Sequence, residues 1–114
     1  MTGYRSLPDL PDEFVRRGMR LTHLRLLVAL QETGQMTGAA SQISVTQPAA
    51  SRLMGELERI ADAPLYSRHA KGVTLTMAGQ LLADKARGIL HSLDEAHAAI
   101  SGIAKGLKGR VHIG

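Results

Sequence analysis

The chain has 114 residues, a formal net charge of +4 and a sequence pI of about 10.0, so it is one domain's worth of protein that leans mildly toward polyanionic partners. It contains no cysteine, which excludes disulfides, thiolate catalysis and zinc sites that need sulfur. Its hydrophobic content of 44% is aliphatic, because only 3% of residues are aromatic, and such a composition favours helices. Neither a membrane-spanning run nor a signal peptide is recognisable, so we expect a cytoplasmic protein.

The N-terminal part of the chain predicts an irregular segment followed by a helix. Residues 1–18 contain two prolines and no sustained periodicity, which indicates a flexible leader or a short irregular cap. Helical spacing of apolar residues then predicts a first helix over 22–33. Thr22 is expected to be its N-cap, and Gly34 is expected to end it.

Two further helices are predicted, separated by a break in the apolar pattern at 44–46. The earlier helix has two turns and a single apolar stripe, which consists of Met36, Ala39, Ala40 and Ile43. The later helix is expected over 47–61, with Thr46 as N-cap and Pro48 in the first turn, where its missing N–H does no harm. Its inward face is apolar and consists of Ala50, Leu53, Met54, Leu57 and Ile60.

The rest of the chain predicts a hairpin and one long helix. Short β-type runs at 65–68 and 73–75 flank a loop that contains glycine, as expected for a two-stranded wing. A helix capped by Thr76 and ending at about 106 would be roughly 46 Å long, more than a small domain covers, so it needs a partner helix. Its apolar residues form a heptad seam: Leu82, Ala86, Ile89, Leu93, Ala96, Ile100, Ile103 and Leu107.

Two short helices joined by a tight turn match a helix-turn-helix, whose second helix enters the DNA major groove. The outward side of the helix at 47–61, called the recognition face below, consists of Gln47, Pro48, Ser51, Arg52, Gly55 and Arg59. Its small residues allow close backbone approach, while Gln47 suits adenine, Arg52 suits guanine and Ser51 suits a base or a phosphate. The same stripe could be the solvated face of a surface helix, although such a face is usually richer in Lys and Glu.

A set of short motifs with specific order and spacing runs from residue 20 to residue 113. They are Leu24–Ala29, Gly34 with Thr37, Ala39-Ala40, Val45–Arg52, Leu57-Glu58, Pro64–Arg68, Gly72-Val73, Leu75-Thr76 and Ala78-Gly79. Together they resemble the N-terminal part of LysR-type transcription regulators. The chain departs from the family pattern at Gln35-Met36, Ala50 and Asp62, which stands where a glycine is usual, but none of these changes removes a DNA-facing residue.

The resemblance implies a mainly α-helical winged helix-turn-helix over 19–75 and a dimerising linker helix over 76–108. Such a protein would bind an interrupted palindrome in double-stranded DNA as a homodimer. The positions that usually face DNA in the family carry Gln47, Pro48, Ser51 and Arg52. Residues 109–114 look like the start of the first strand of a ligand-sensing domain, the rest of which lies outside this sequence. In the family that domain would bind a small-molecule inducer and support tetramers.

Contacts with the DNA backbone are also predicted from outside the recognition face. Arg68, His69 and Lys71 on the wing could each meet a phosphate, or could lie in a solvated turn. Thr37 is predicted to be a further DNA-contacting residue. Thr46 and Thr76 are expected mainly to cap helices, while helix N-termini also favour phosphate.

Three other functions are weighed against DNA binding. The heptad seam could mark a helical protein–protein interaction module without DNA binding. A membrane-surface helix is disfavoured because residues 76–106 carry Asp84, Asp94 and Glu95 without aromatic anchors. An enzyme is disfavoured because the histidines are scattered and no nucleotide or metalloprotease motif occurs. His91 and Asp94 are one helical turn apart, but two ligands are too few for a metal site. We therefore expect neither a metal nor a cofactor.

Overall fold

The computed structural model describes the backbone of residues 12–113 and the side chains of residues 12–107. The elements in chain order are α1 (Glu13–Arg16), α2 (Leu21–Thr33), α3 (Met36–Gln42), α4 (Gln47–Ala61), β1 (Tyr66–His69), β2 (Gly72–Leu75) and α5 (Met77–Ile113). The predicted winged helix-turn-helix with a long last helix is confirmed. Within the predicted leader, α1 forms a single helical turn, while residues 1–11 lie outside the described part of the chain.

Helix α2 begins earlier than the sequence predicts. Its N-cap is Arg20, whose backbone N–H donates to Nδ1 of His23 at 3.0 Å, so the prediction of Thr22 as N-cap was wrong. The physical reason is that the His23 ring satisfies an N–H at the helix start, which places Thr22 inside the first turn. Gly34 ends α2 as predicted, in a left-handed conformation at φ +68° that glycine adopts without a steric penalty.

Helix α4 has the predicted bounds and the predicted N-cap. Oγ1 of Thr46 accepts the backbone N–H of Ala49 at 3.2 Å, and Pro48 lies in the first turn. At the other end Asp62 takes a left-handed conformation with φ +56°, which aspartate tolerates better than most L-residues. The turn between α3 and α4 passes through Ser44 at φ +62°. Local chemistry therefore defines both ends of the predicted recognition helix.

The core is aliphatic and is built around α2, which packs against α3, α4 and α5. Every predicted inward residue of the two helix-turn-helix helices is buried: Met36, Ala39, Ala40, Ile43, Ala50, Leu53, Met54, Leu57 and Ile60. Leu65, Val73 and Leu75 extend the core to the base of the wing. Because one side of α4 is fixed in this core, its other side is held outward.

The wing is an antiparallel pair, β1 and β2, with the register Tyr66–Leu75, Ser67–Thr74, Arg68–Val73 and His69–Gly72. It is docked on the end of α2: the Val73 N–H donates to the Gly34 carbonyl at 2.8 Å, and Nε2 of Gln35 donates to the Lys71 carbonyl at 2.9 Å. A Cβ atom at Gly72, where φ is +135°, would overlap the Gly34 carbonyl oxygen. Glycine at 72 is therefore required for the wing to sit this close to the helix-turn-helix.

Helix α5 starts as predicted and ends later than predicted. Thr76 accepts the Gly79 N–H at 3.1 Å and donates to the Pro64 carbonyl at 2.7 Å, which confirms it as the cap. The helix then continues to Ile113, so the predicted end near 106 was wrong. Residues 109–113, where a strand was expected, are helical as well. No proline interrupts this stretch, and a helix satisfies its own backbone, whereas a strand needs a neighbouring strand.

The predicted seam of α5 divides into two parts. Ala86 is fully buried against Leu24 and Val28 of α2, so this position belongs to the domain's own core, contrary to the prediction that it faces a partner. Leu82 is half-buried against the same core. The other large seam residues are 45% to 65% exposed: Ile89, Leu93, Ile100, Ile103 and Leu107. No helix in the described part of the chain is long and apolar enough to cross a membrane.

Candidate nucleic-acid interface

The structure brings all six residues of the recognition face to one side of α4. Gln47, Pro48, Arg52, Gly55 and Arg59 are exposed, and Ser51 is half-buried. No side chain projects over the backbone at Gly55, since a Cβ built there would meet no atom within 4 Å. The side of the helix opposite the core therefore presents a shallow, cationic surface with polar groups toward its N-terminus.

The wing contacts this face directly through Arg68. Its guanidinium NH2 donates to Oγ of Ser51 at 2.9 Å and lies 5.7 Å from the centroid of the Tyr66 ring. Contact with an aromatic face holds an arginine in place without neutralising it. The wing and the recognition face are therefore one continuous surface, and two of the predicted DNA-binding residues are already hydrogen-bonded to each other.

A depression of about 220 Å³ lies between α3, the start of α4 and the wing. Its lining includes predicted site residues from three separate segments of the chain: Thr37, Gln47, Arg68 and His69. Nδ1 of His69 accepts the Lys71 N–H at 3.2 Å, so the proton of the neutral ring is on Nε2, which donates to Oγ1 of Thr74 at 2.8 Å. Both ring nitrogens of His69 thus stabilise the hairpin turn, while the side chain of Lys71 is exposed at its tip.

A carboxylate, Glu56, lies beside the recognition face and was not predicted as a site residue. Its Oε1 is 3.0 Å from Nε2 of the buried His23 and 3.6 Å from the guanidinium of Arg20, and its Oε2 is 3.9 Å from Nε of Arg52. The hydrogen bond from His23, helped by the charges of Arg20 and Arg52, holds the pKa of Glu56 below its ordinary value of 4.5. Glu56 is therefore a charged acceptor between the interior and the cationic face.

A second polar network lies where α5 leaves the domain. Arg87 of α5 donates to Glu32 at 2.9 Å and to Gln31 at 2.6 Å, both at the end of α2. Hydrogen bonds from Gln42 and Arg87 hold the pKa of Glu32 below 4.5. This exposed network adds polar contacts between α5 and α2 beside the apolar packing that sets the direction of the long helix.

Comparison with known proteins identifies the family. The family model described as "Bacterial regulatory helix-turn-helix protein, lysR family" matches residues 21–80, which span α2 to the first turn of α5. The chain belongs to the LysR family. The HTH-type transcriptional regulator GbpR of Rhizobium radiobacter is 44% identical over 96 residues, which cover 82% of this chain and 32% of GbpR. The nitrogen assimilation regulatory protein nac of Klebsiella aerogenes is 36% identical over 96 residues, 84% of this chain and 32% of nac.

Solved structures of LysR-type DNA-binding domains have the same fold as this chain. The CbnR DNA-binding domain in complex with DNA is similar with a TM-score of 0.69 and 31% identity, over 75% of this chain and 99% of that one. The BenM DNA-binding domain in complex with catB site 1 DNA is similar with a TM-score of 0.71 and 31% identity, over 75% of this chain and 97% of that one. The chain spans about a third of the length of GbpR and nac.

Sequence reasoning found the outward residues of this LysR-family chain but missed the residues that hold them. The spacing of Arg52 and Glu56, four residues apart on one helix, was a signal that could have been used. The link from Glu56 to His23 joins residues 33 positions apart, and no local pattern indicates it. The contact between Ser51 and Arg68 depends in the same way on how the wing docks.

Metal-binding side chains do not cluster in the described part of the chain: no group of three or more His, Cys, Asp or Glu residues could hold an ion. Nε2 of His91 lies 3.4 Å from a carboxylate oxygen of Glu95, not of Asp94, on the exposed surface of α5. This pair is an exposed contact between successive turns, of the kind that stabilises a helix only weakly.

Proposed function

We propose that this chain is the DNA-binding and dimerisation part of a LysR-type transcription regulator, with no enzymatic activity, which acts in the bacterial cytoplasm. As a dimer it binds an interrupted palindrome in double-stranded DNA. One observation carries the proposal: the recognition face of α4 and the wing form one exposed cationic surface, joined by the hydrogen bond between Arg68 and Ser51. The complexes of the related CbnR and BenM domains with DNA support it.

In the proposed complex α4 enters the major groove with its N-terminal half toward the bases. Gln47 would contact adenine, and Arg52 would contact guanine through its two terminal nitrogens. Pro48 and Gly55 keep the backbone close to the bases. Phosphate would be bound by Thr37, Thr46, Arg59, Arg68 and Lys71, which would fix the register without reading the sequence, and Ser51 would meet a base or a phosphate. His69 would reach a phosphate only by giving up the hydrogen bond from its Nε2 to Thr74.

Dimerisation through α5 is supported by the exposed part of its seam. Five large aliphatic residues between Ile89 and Leu107 lie in a stripe about 27 Å long, and the domain's own core does not cover them. Such a stripe fits a second copy of the same helix, since heptad spacing allows two helices to interdigitate. Two copies joined in this way would hold two recognition faces at a fixed separation, which matches a palindrome.

Control by a small-molecule inducer and assembly into tetramers belong to the proposed full-length regulator. They rest on the family resemblance, and the greater length of the curated relatives is consistent with them. The described residues of this chain hold the DNA-reading part of the proposed mechanism.

The experiment that tests the proposed function is selection of bound fragments from a random pool of duplex DNA. We expect enrichment of an inverted repeat that is bound about 10³-fold or more tightly than a scrambled duplex at physiological salt. Scrambled DNA should bind weakly, and its affinity should fall steeply as salt rises. No enriched sequence, together with no salt-dependent binding of any duplex, would refute the proposal.

A helical protein–protein interaction module is the second candidate, because the exposed seam of α5 would serve it equally well. The same measurements separate the two. A chain that dimerises through α5 but binds no duplex in dilute buffer would be an interaction module.

A further inference from the structure

Glu56 connects the interior of the domain to the recognition face. It lies on α4 one turn after Arg52, and its side chain is 31% exposed. The two carboxylate oxygens point to different partners: Oε1 to the ring of His23 at 3.0 Å and to the exposed guanidinium of Arg20 at 3.6 Å, and Oε2 to Nε of Arg52 at 3.9 Å. A single carboxylate therefore lies between a buried group and the side chain that is expected to read a guanine.

The buried partner, His23, is fixed in place. Its residue is 1% exposed, and its Nδ1 accepts the backbone N–H of Arg20 at 3.0 Å. In the neutral ring the proton is therefore on Nε2 and is directed at Glu56. Because a buried N–H without an acceptor is costly, His23 holds the carboxylate of Glu56 in this position.

Arg52, in contrast, is largely free in the absence of DNA. Its side chain is 67% exposed, and a free arginine side chain has rotamer entropy to lose on binding. A fixed carboxylate near Nε favours rotamers that keep the guanidinium beside α4. The two terminal nitrogens then remain available for the O6 and N7 atoms of guanine. Restricting a side chain to its bound geometry raises affinity for the correct partner.

The charge of Glu56 has a second effect. The recognition face is cationic, and cations on it attract any phosphate regardless of sequence. A carboxylate at the edge of that face opposes the approach of phosphates, whichever sequence the duplex has. Non-specific complexes depend most on phosphate contacts, so they lose the largest fraction of their affinity.

From these contacts we infer that Glu56 is a specificity-determining positioning residue. Its carboxylate, fixed by the hydrogen bond to His23, favours the Arg52 rotamers that present the guanidinium to the base edges, and its charge weakens binding to non-cognate DNA. This inference rests on the proposed DNA-binding function and adds to it a residue that does not itself touch DNA.

The test uses Glu56→Gln, which removes the charge and keeps an oxygen that accepts the proton on Nε2 of His23, so the fold is retained. Its matched control is Glu95→Gln, which removes the same charge on exposed α5. Three duplexes are compared by fluorescence anisotropy: the selected operator, the operator changed at the base pair whose preference Arg52→Ala relaxes, and a scrambled sequence. For Glu56→Gln we expect scrambled DNA to bind about threefold more tightly and the preference at that base pair to fall about fivefold. Glu95→Gln should change neither.

Two further variants separate positioning from charge. Glu56→Asp keeps the charge but draws the carboxylate back from both Arg52 and His23, so it should lower the base preference without tightening binding to scrambled DNA, and its melting temperature is measured alongside because the N–H of His23 loses its acceptor. In an Arg52→Ala background, Glu56→Gln should change the base preference no further, since the side chain that it positions is absent.

The outcomes of this experiment are distinguishable. If the unaltered chain prefers its operator and Glu56→Gln leaves that preference intact, the role of Glu56 is wrong while the proposed function stands. A loss of preference that is equally large in the Arg52→Ala background would also overturn it, because Glu56 would then act through some other residue. If the unaltered chain has no sequence preference at all, the proposed function and the role of Glu56 fall together.

Discussion

Truncation of Ile100 to alanine should weaken the proposed dimer by an amount that follows from its exposure. In the single chain Ile100 is 65% exposed, near the middle of the uncovered part of the seam. Fully burying an isoleucine side chain contributes about 1.5 to 3 kcal/mol, so the part still exposed offers roughly 1 to 2 kcal/mol per copy. A twofold dimer contains two copies, and alanine keeps only the first carbon of each side chain. We therefore expect a loss of about 1.5 to 3 kcal/mol, or roughly 10- to 150-fold in the dimer dissociation constant.

Sedimentation equilibrium over a range of concentrations measures this change directly. The matched control compares Ile100→Asp with Ala98→Asp, which introduces the same charge, with at least as large a loss of helix propensity, on the opposite side of α5. Ile100→Asp should produce monomers with much weaker operator binding, while Ala98→Asp should leave the dimer nearly intact. If Ile100→Ala dimerised with the same dissociation constant as the unaltered chain, another surface would join the two copies. Equal weakening of the dimer by Ala98→Asp and Ile100→Asp would show the same.

Three further predictions concern DNA contacts and the end of α4. Arg52→Ala should weaken operator binding by about 1 to 3 kcal/mol and relax the preference at one base pair; equal loss on scrambled DNA in an anisotropy assay would make it a phosphate contact instead. Lys71→Ala should lower affinity for all sequences and reduce the salt slope by about one, and an unchanged slope would remove the wing tip from the interface. Asp62→Gly should raise the free energy of unfolding by about 0.5 to 1 kcal/mol, because Asp62 has φ +56°; a lower melting temperature would contradict this.

The elements whose signals are local were predictable from the sequence. Helix α4 has the predicted bounds of 47–61 because apolar periodicity, the Thr46 cap and the left-handed residue Asp62 all act within a few positions of each other. The N-cap of α2 was missed because it depends on Arg20 and on a histidine ring, a combination that cap preferences do not favour.

Periodicity in α5 predicted an apolar seam but not what covers it. Leu82 and Ala86 continue the heptad spacing of Ile89 and Leu93, yet the domain's own α2 covers the first two and leaves the others exposed. A repeat of apolar residues shows that a helix has a face to bury, and only the tertiary arrangement shows against which surface. The helical end of α5 at 109–113 was not predicted because the family resemblance implies a strand there, whereas a helix that is already formed extends at little cost.

The candidate site was predictable as a set of residues and not as an arrangement. Outward residues on α4 follow from the position of its apolar face, since both are consequences of helical spacing. Contacts between Arg68 and Ser51, and between Glu56 and His23, connect segments that are 17 and 33 residues apart. They depend on the docking of the wing and of α2, which no short-range pattern specifies.

The central claim is that two copies of the chain hold their recognition faces at a fixed separation through α5. The most direct test is to insert about 5 base pairs, half a turn of the duplex, between the two halves of the selected operator. We predict that affinity will fall to that of a single half-site, because the second face then meets the wrong side of the duplex, and that a full-turn insertion will be tolerated better than the half-turn one. Unchanged affinity after the half-turn insertion would contradict the account, because the two copies would then be binding independently.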